Sequence, residues 1–142
     1  MPIMQYHLVA EAYEPAALEA LLREASDFYA AALYPEMDRP PVERVRAFVN
    51  DVAPGRWATG GVLVSNGAAP APFFTCLSLR GRPALQLQDM MRGLTELTSR
   101  HLGCAADLVR GQLIEIHPEH WFIGGACANV ARGDEIRARN GE

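Results

Sequence analysis

Proline follows methionine at the head of the chain, and removal of Met1 would turn the Pro2 ring nitrogen into a free secondary amine. An α-amine has a reference pKa of about 8. Apolar walls and nearby guanidinium charges both disfavour its protonated form, so Pro2 set at the start of a strand is a candidate general base at neutral pH. A second set of residues stands out by repetition. Pro54, Trp57, Gly60 and Gly61 form a P-x-x-W-x-x-G-G pattern that returns as Pro118, Trp121, Gly124 and Gly125, each 64 positions on, and Arg46 is matched by Arg110 at the same offset. Two strand arginines that can hold an acid and two tryptophans that can wall off water are therefore duplicated, whereas the amine is unique: Pro72, near the start of the second unit, has its nitrogen in an amide.

Other motifs read as structural. His117-Pro118-Glu119-His120 holds two imidazoles, but a proline turn does not bring both to one helix face as H-E-x-x-H does. No metal is expected. The Gly-Gly pairs precede no helix of the kind a dinucleotide fingerprint needs and are read as hairpin glycines. Cys76, Cys104 and Cys127 are odd in number and lack C-x-x-C spacing, which suits reduced packing thiols. His7 and His101 are read as packing residues on amphipathic elements.

The elements that must position these groups follow from periodicity. Residues 3–10 read as a strand. Over 15–33, Leu18, Leu21, Leu22, Ala25, Phe28 and Ala32 recur at helical steps with Pro15 in the first turn. Proline breaks that helix, and 42–50 alternate as a second strand. The turn of 54–61 and a short hairpin strand at 62–64 lead to a connector at 66–72. The pattern then restarts with a strand at 73–79, a helix lined by Leu87, Met90, Leu94, Leu97 and His101 and ended by Gly103, and a strand at 108–116. The expected fold is α+β: one domain, 1–142, made of tandem βαβ repeats (2–65 and 73–131), with a four-stranded mixed sheet and both helices on one face. The crossovers should be right-handed. Sheet strands this apolar cannot leave a whole face wet, so oligomerisation is expected to bury it. The tail, 132–142, alternates in charge without an apolar stripe and is expected to be solvated or loosely docked.

Composition narrows the function classes. The chain has 142 residues, 49% of them hydrophobic, enough for one core. A formal charge of −4 without any basic run argues against a nucleic-acid partner. Neither a signal peptide nor an apolar run of about 18 residues is evident. A cytoplasmic protein with no membrane partner is expected.

Taken jointly, Pro2, Arg80-Gly81-Arg82-Pro83 at a strand exit, Val109-Arg110 in the next strand and Trp121-Phe122-Ile123-Gly124-Gly125 at the turn resemble the 4-oxalocrotonate tautomerase superfamily, in its longer, fused two-repeat form. The likeness extends from Pro2 to about Arg132. It implies the tautomerase/MIF-like fold, a homotrimer, no cofactor, and a small-molecule carboxylate as substrate. It also implies a constellation of an amino-terminal proline, a strand-exit arginine, a strand arginine and an aromatic before Gly-Gly. Here Pro2, Arg80 and Arg82 would be catalytic, with Arg110, Arg46 and Trp121 binding substrate. Ala12 stands where the first half would carry its strand-exit arginine, so one site per chain is implied, with an arginine or tryptophan drawn from a neighbouring subunit.

Tyr29 falls where the superfamily's chloroacrylate dehalogenases carry a helix histidine and is a further substrate-binding candidate, against the plainer reading of a half-buried helix tyrosine. The implied activity is proton transfer within a small 2-oxo or 2-hydroxy-dienoic acid. Two alternatives stand beside it. One is a dehalogenase, hydratase or decarboxylase of the same superfamily, although Leu113 and Gly124 occupy the positions of the dehalogenases' water-activating tyrosine and glutamate. The other is a non-catalytic trimeric binding module, which retention of Met1 would favour.

Overall fold

The computed structural model describes residues 2–141. Strand β1 (Ile3–Val9) is followed by helix α1 (Pro15–Leu33), strand β2 (Arg46–Val52) and a two-residue hairpin, β3 (Ala58–Thr59) with β4 (Val62–Leu63). The second half repeats this with β5 (Phe73–Leu79), α2 (Ala84–Leu102), β6 (Arg110–Ile116) and the hairpin β7 (Phe122–Ile123) with β8 (Ala126–Cys127). Two further helices, α3 (Ala128–Ala131) and α4 (Gly133–Asn140), close the chain. The four long strands form one sheet in the order β2-β1-β5-β6. Each βαβ unit is parallel, and the units join through antiparallel β1 and β5.

That junction decides the geometry of everything below. Ile3 pairs with Leu77 across the β1–β5 seam, so the start of the first half lies beside the exit of the second. By the same symmetry, Pro2 and Pro72 are equivalent: the Pro2 carbonyl accepts from Arg46 N–H at 3.0 Å and the Pro72 carbonyl from Arg110 N–H at 2.9 Å. The two prolines sit at opposite ends of the sheet.

Alternation puts Met4, Tyr6, Leu8, Phe74 and Cys76 on one face, where they pack against Leu21, Ala25 and Tyr29 of α1 and Leu87, Met90 and Leu94 of α2. The Tyr6 hydroxyl and Thr98 Oγ1 are hydrogen-bonded across this core at 3.1 Å. Burial holds the Cys76 thiol up at about 12, so it is a packing group and no nucleophile. Gly103, at φ 63°, ends α2 in the left-handed conformation that glycine adopts freely. The helices leave the other sheet face uncovered, and Phe48 and Ile114 on it are 40% and 39% exposed.

Three sequence expectations need correction. The strands expected at 42–50 and 108–116 begin later, because Val42–Arg44 and Ala106–Leu108 form 3-10 turns whose N–H groups find carbonyls close by, as Val45 N–H does at Val42 and Val109 N–H at Ala106. The short hairpin strand expected at 62–64 stops at Leu63, since Val64 opens another such turn. The tail, expected to be solvated or loosely docked, is docked, with Asp134, Arg137, Ala138 and Asn140 still exposed. It forms α4 without an apolar stripe: Arg44 ties Glu135 to the body at 3.1 Å, while Arg132–Glu135 at 3.3 Å and Asp134–Arg137 brace the helix within itself.

Candidate active site

Pro2 is buried at the floor of a small cavity walled by Leu33, Tyr34, Ser78, Leu79 and Arg82. Three elements converge there. The start of β1 gives Pro2, the end of α1 gives Leu33 and Tyr34, and the exit of β5 gives Ser78, Leu79 and, after a turn at Gly81, Arg82. Helix α1 stops at Tyr34 because Pro35 follows, and the residue before a proline is pushed out of the helical region; Tyr34 stands at φ −130° and ψ 58°. Its ring is thereby left at the site.

Arg82 is held in a fixed pose. Its Nε donates to the Leu33 carbonyl at 3.3 Å, and Nη1 donates to Ser78 Oγ and the Leu79 carbonyl, both at 3.2 Å. The guanidinium carbon lies 5.5 Å from the Tyr34 ring centroid, a cation–π distance. Among the described residues Arg82 has no carboxylate partner; its polar neighbour on the ring side is Tyr34. Burial first, and then the neighbouring Arg139 charge, push Arg82 below the ordinary arginine range, yet the group stays cationic at neutral pH. A guanidinium held in a fixed pose, with no carboxylate partner among the described residues and in the same cavity as Pro2, can take a carboxylate.

The Pro2 cavity shares Leu33, Tyr34 and Arg82 with a larger cleft of about 480 Å³, which Arg44, Gln86, Glu135 and Arg139 also line. That volume suits a small organic acid. Arg44 forms the opposite wall: Nη1 donates to both Glu135 oxygens, at 3.1 and 3.2 Å, and to the Tyr34 hydroxyl at 3.4 Å.

The other residues singled out from sequence are distributed as follows. Arg80 is exposed, its N–H bound to the Ile116 carbonyl at 3.0 Å, and its side chain does not line the Pro2 cavity. Arg46 and Arg110 are exposed at the starts of β2 and β6, where each Nη1 bonds the carbonyls of its preceding turn: Glu43 at 2.9 Å and Val45 at 3.1 Å, Asp107 at 2.5 Å and Val109 at 3.2 Å. Their shared offset thus has a structural basis in both halves. Arg46 lies at the Pro2 end of the sheet and Arg110 at the Pro72 end.

Trp121 follows the Pro118–His120 turn, half-buried, with its Nε1 buried and unpartnered among the described residues; it does not reach the Pro2 cavity. Tyr29 is fully buried, and its hydroxyl donates to the Leu77 carbonyl at 2.6 Å. Inside one chain, then, Pro2 and Arg82 come together, while Arg80, Arg46, Arg110, Trp121 and Tyr29 stand outside their cavity. Within the turn of 117–120, the Glu119 N–H donates to His117 Nδ1 at 3.3 Å, which fits a capping role for that imidazole.

Sequence reasoning passed over Tyr34, Arg44 and Arg139. Tyr34 had a signal in the Tyr-Pro pair at a helix end. Arg44 and Arg139 had none that distinguishes them from surface charge, since their place in the site follows from the docking of α4.

No protein-family model and no curated protein sequence matches the chain; the similarity is one of structure. A native fused 4-OT superposes with a TM-score of 0.80 at 20% identity over 90% of this chain and 97% of that one. The symmetric trimer of the Q0 fused 4-OT gives 0.75 at 23%, covering 91% and 98%. N1, a member of the cis-3-chloroacrylic acid dehalogenase family, gives 0.75 at 17%, covering 96% and 90%. The chain therefore has the fused two-repeat tautomerase fold along almost its whole length.

Proposed function

We propose that this chain is a cofactor-free tautomerase acting on a small 2-oxo or 2-hydroxy-dienoic acid, with Pro2 as the base. The observation that carries the reading is that Pro2 and Arg82, from opposite halves of the chain, line one cavity at the β1–β5 seam. With Met1 removed, the Pro2 nitrogen has a lone pair. It takes the hydroxyl proton of the bound dienol, the resulting charge spreads over the conjugated enolate, and the same proton returns from nitrogen to a carbon of that system. Nothing is oxidised or reduced. Arg82 holds the substrate carboxylate, and as negative charge builds on the enolate oxygen a preorganised guanidinium stabilises it more than water would.

Arg80 stands at the same strand exit and is proposed to serve at the mouth of the site. Arg110 and Trp121, remote from Pro2 within the chain, are proposed to act on the site of a neighbouring subunit in a homotrimer. The trimeric arrangement of the Q0 fused 4-OT and the uncovered sheet face with Phe48 and Ile114 support that assembly.

The test is ultraviolet-monitored ketonisation of 2-hydroxymuconate and phenylenolpyruvate by wild type and Pro2→Ala, each checked by intact mass for loss of Met1. Pro2→Ala replaces the fixed ring amine by a freely rotating primary amine, and the loss of that placement is expected to lower kcat/KM by about 10² to 10⁴. Equal rates in the two proteins would overturn the mechanism. Halide release from 3-chloroacrylate by wild type would move the reading to the dehalogenase alternative.

A further inference from the structure

Helix α4 brings to the cleft a cation that has no carboxylate partner among the described residues. Arg139 lines the larger cleft together with Arg82 and Arg44, and its Nη1 is buried with no hydrogen-bond partner among the described residues. The acids nearby do not answer it. Glu135 is taken by Arg44 and Arg132, and Glu36 is exposed at the rim without an ion pair among the described residues. Two guanidiniums at one cleft, without carboxylate partners among the described residues, repel each other and leave one buried donor, Arg139 Nη1, unmet, an arrangement that costs free energy until an anion enters.

The placement of Arg139 is built into the fold. The loop between β5 and α2 passes beneath the end of α4 at Gly81, where an added Cβ would lie 3.4 Å from Arg139 Cδ and 3.4 Å from Asn140 Oδ1. Gly81 also stands at φ 108°, which side chains rarely tolerate. The next residue in that loop is Arg82. On its other side, α4 is fastened by Glu135 to Arg44, whose guanidinium carbon lies 5.6 Å from the Tyr34 ring centroid. Helix α4 is thus held at both ends, by Glu135 on Arg44 and by Arg139 over Gly81.

We propose that α4 supplies a second anion-binding arginine to the Pro2 site, Arg139 gripping one carboxylate of a substrate whose other carboxylate is held by Arg82. The inference rests on the tautomerase reading for which acid is converted, but the recognition itself is separable from turnover. It makes Arg139 the residue that selects dicarboxylates over monocarboxylates of the same length.

The experiment is calorimetric titration with two unreactive six-carbon acids, cis,cis-muconate with two carboxylates and sorbate with one, into wild type, Arg139→Ala, Arg139→Lys and Pro2→Ala. Wild type and Pro2→Ala should prefer muconate by about 10-fold to 100-fold, the range of a charge-assisted pair. Arg139→Ala should lose that preference by weakening muconate alone. Arg139→Lys, which keeps the charge without the fork, should recover part of it. A preference retained in Arg139→Ala, an equal loss for both acids, or no preference in wild type would each overturn the proposal. A failure of Pro2→Ala to impair ketonisation would instead strike the tautomerase reading and leave these affinities standing.

Discussion

The Tyr29 and Arg82 side chains show how similar chemistry acquires different roles from its surroundings. Both contact the exit of β5, yet Tyr29 spends its hydroxyl on the Leu77 carbonyl inside the core, and burial drives its pKa far above the ordinary phenol range. Arg82 bonds two carbonyls and a hydroxyl but has no carboxylate partner among the described residues, and it lines a cavity. Tyr29→Phe should therefore cost stability, about 1 kcal/mol or somewhat more for the orphaned carbonyl, while leaving kcat/KM within about threefold of wild type. Urea unfolding and ketonisation kinetics on the one variant check both halves. A large loss of kcat/KM at unchanged stability would return Tyr29 to the substrate-binding set. Pro2, Arg82 and Tyr29 were all legible as candidates from residue type and spacing; which of them faces a cavity was not, because that depends on the β1–β5 seam.

At the scale of elements, the two helices cross on the sheet where glycine permits it. A methyl group added at Gly93 would overlap the Phe28 ring, so α1 and α2 approach through that one missing side chain. Alanine is the better helix former by about 1 kcal/mol, but overpacking costs about 1 to 3 kcal/mol. Gly93→Ala is therefore expected to lower stability by about 1 kcal/mol net. In a Phe28→Leu background the clash goes, and the same substitution should be neutral or stabilising; urea unfolding of the four-member cycle reads the coupling. A stabilising Gly93→Ala in the otherwise native chain would show that the helices do not meet there.

Long apolar periodicities made α1, β1 and β5 readable from sequence to within a residue. The starts of β2 and β6 were not, since Val42 and Leu108 run on into the strands that follow them in sequence while residues 42–45 and 106–109 bond within 3-10 turns. Helix α4 was not readable either. Its residues carry no apolar stripe, and what seats them is the ion pair from Arg44 to Glu135 together with the clearance at Gly81.

The whole molecule turns a duplicated unit into an asymmetric site. Each half supplies a βαβ layer, but antiparallel joining of β1 to β5 sets Pro2 of the first half against Arg82 of the second, while Pro72 at the far end is an internal amide. The site is therefore a product of the fusion. The measurement that tests this most directly is a titration of the Pro2 nitrogen, followed by NMR in protein labelled with nitrogen-15 proline, in wild type and in Arg82→Ala. Enclosure and the nearby cation both disfavour the protonated amine, so the midpoint in wild type should fall below the reference value of about 8. Arg82→Ala removes a charge and opens the cavity to water, and its midpoint should rise. A residue 2 nitrogen that does not titrate, or a midpoint that Arg82→Ala leaves unmoved, would contradict the pairing of Pro2 with Arg82 on which the account depends.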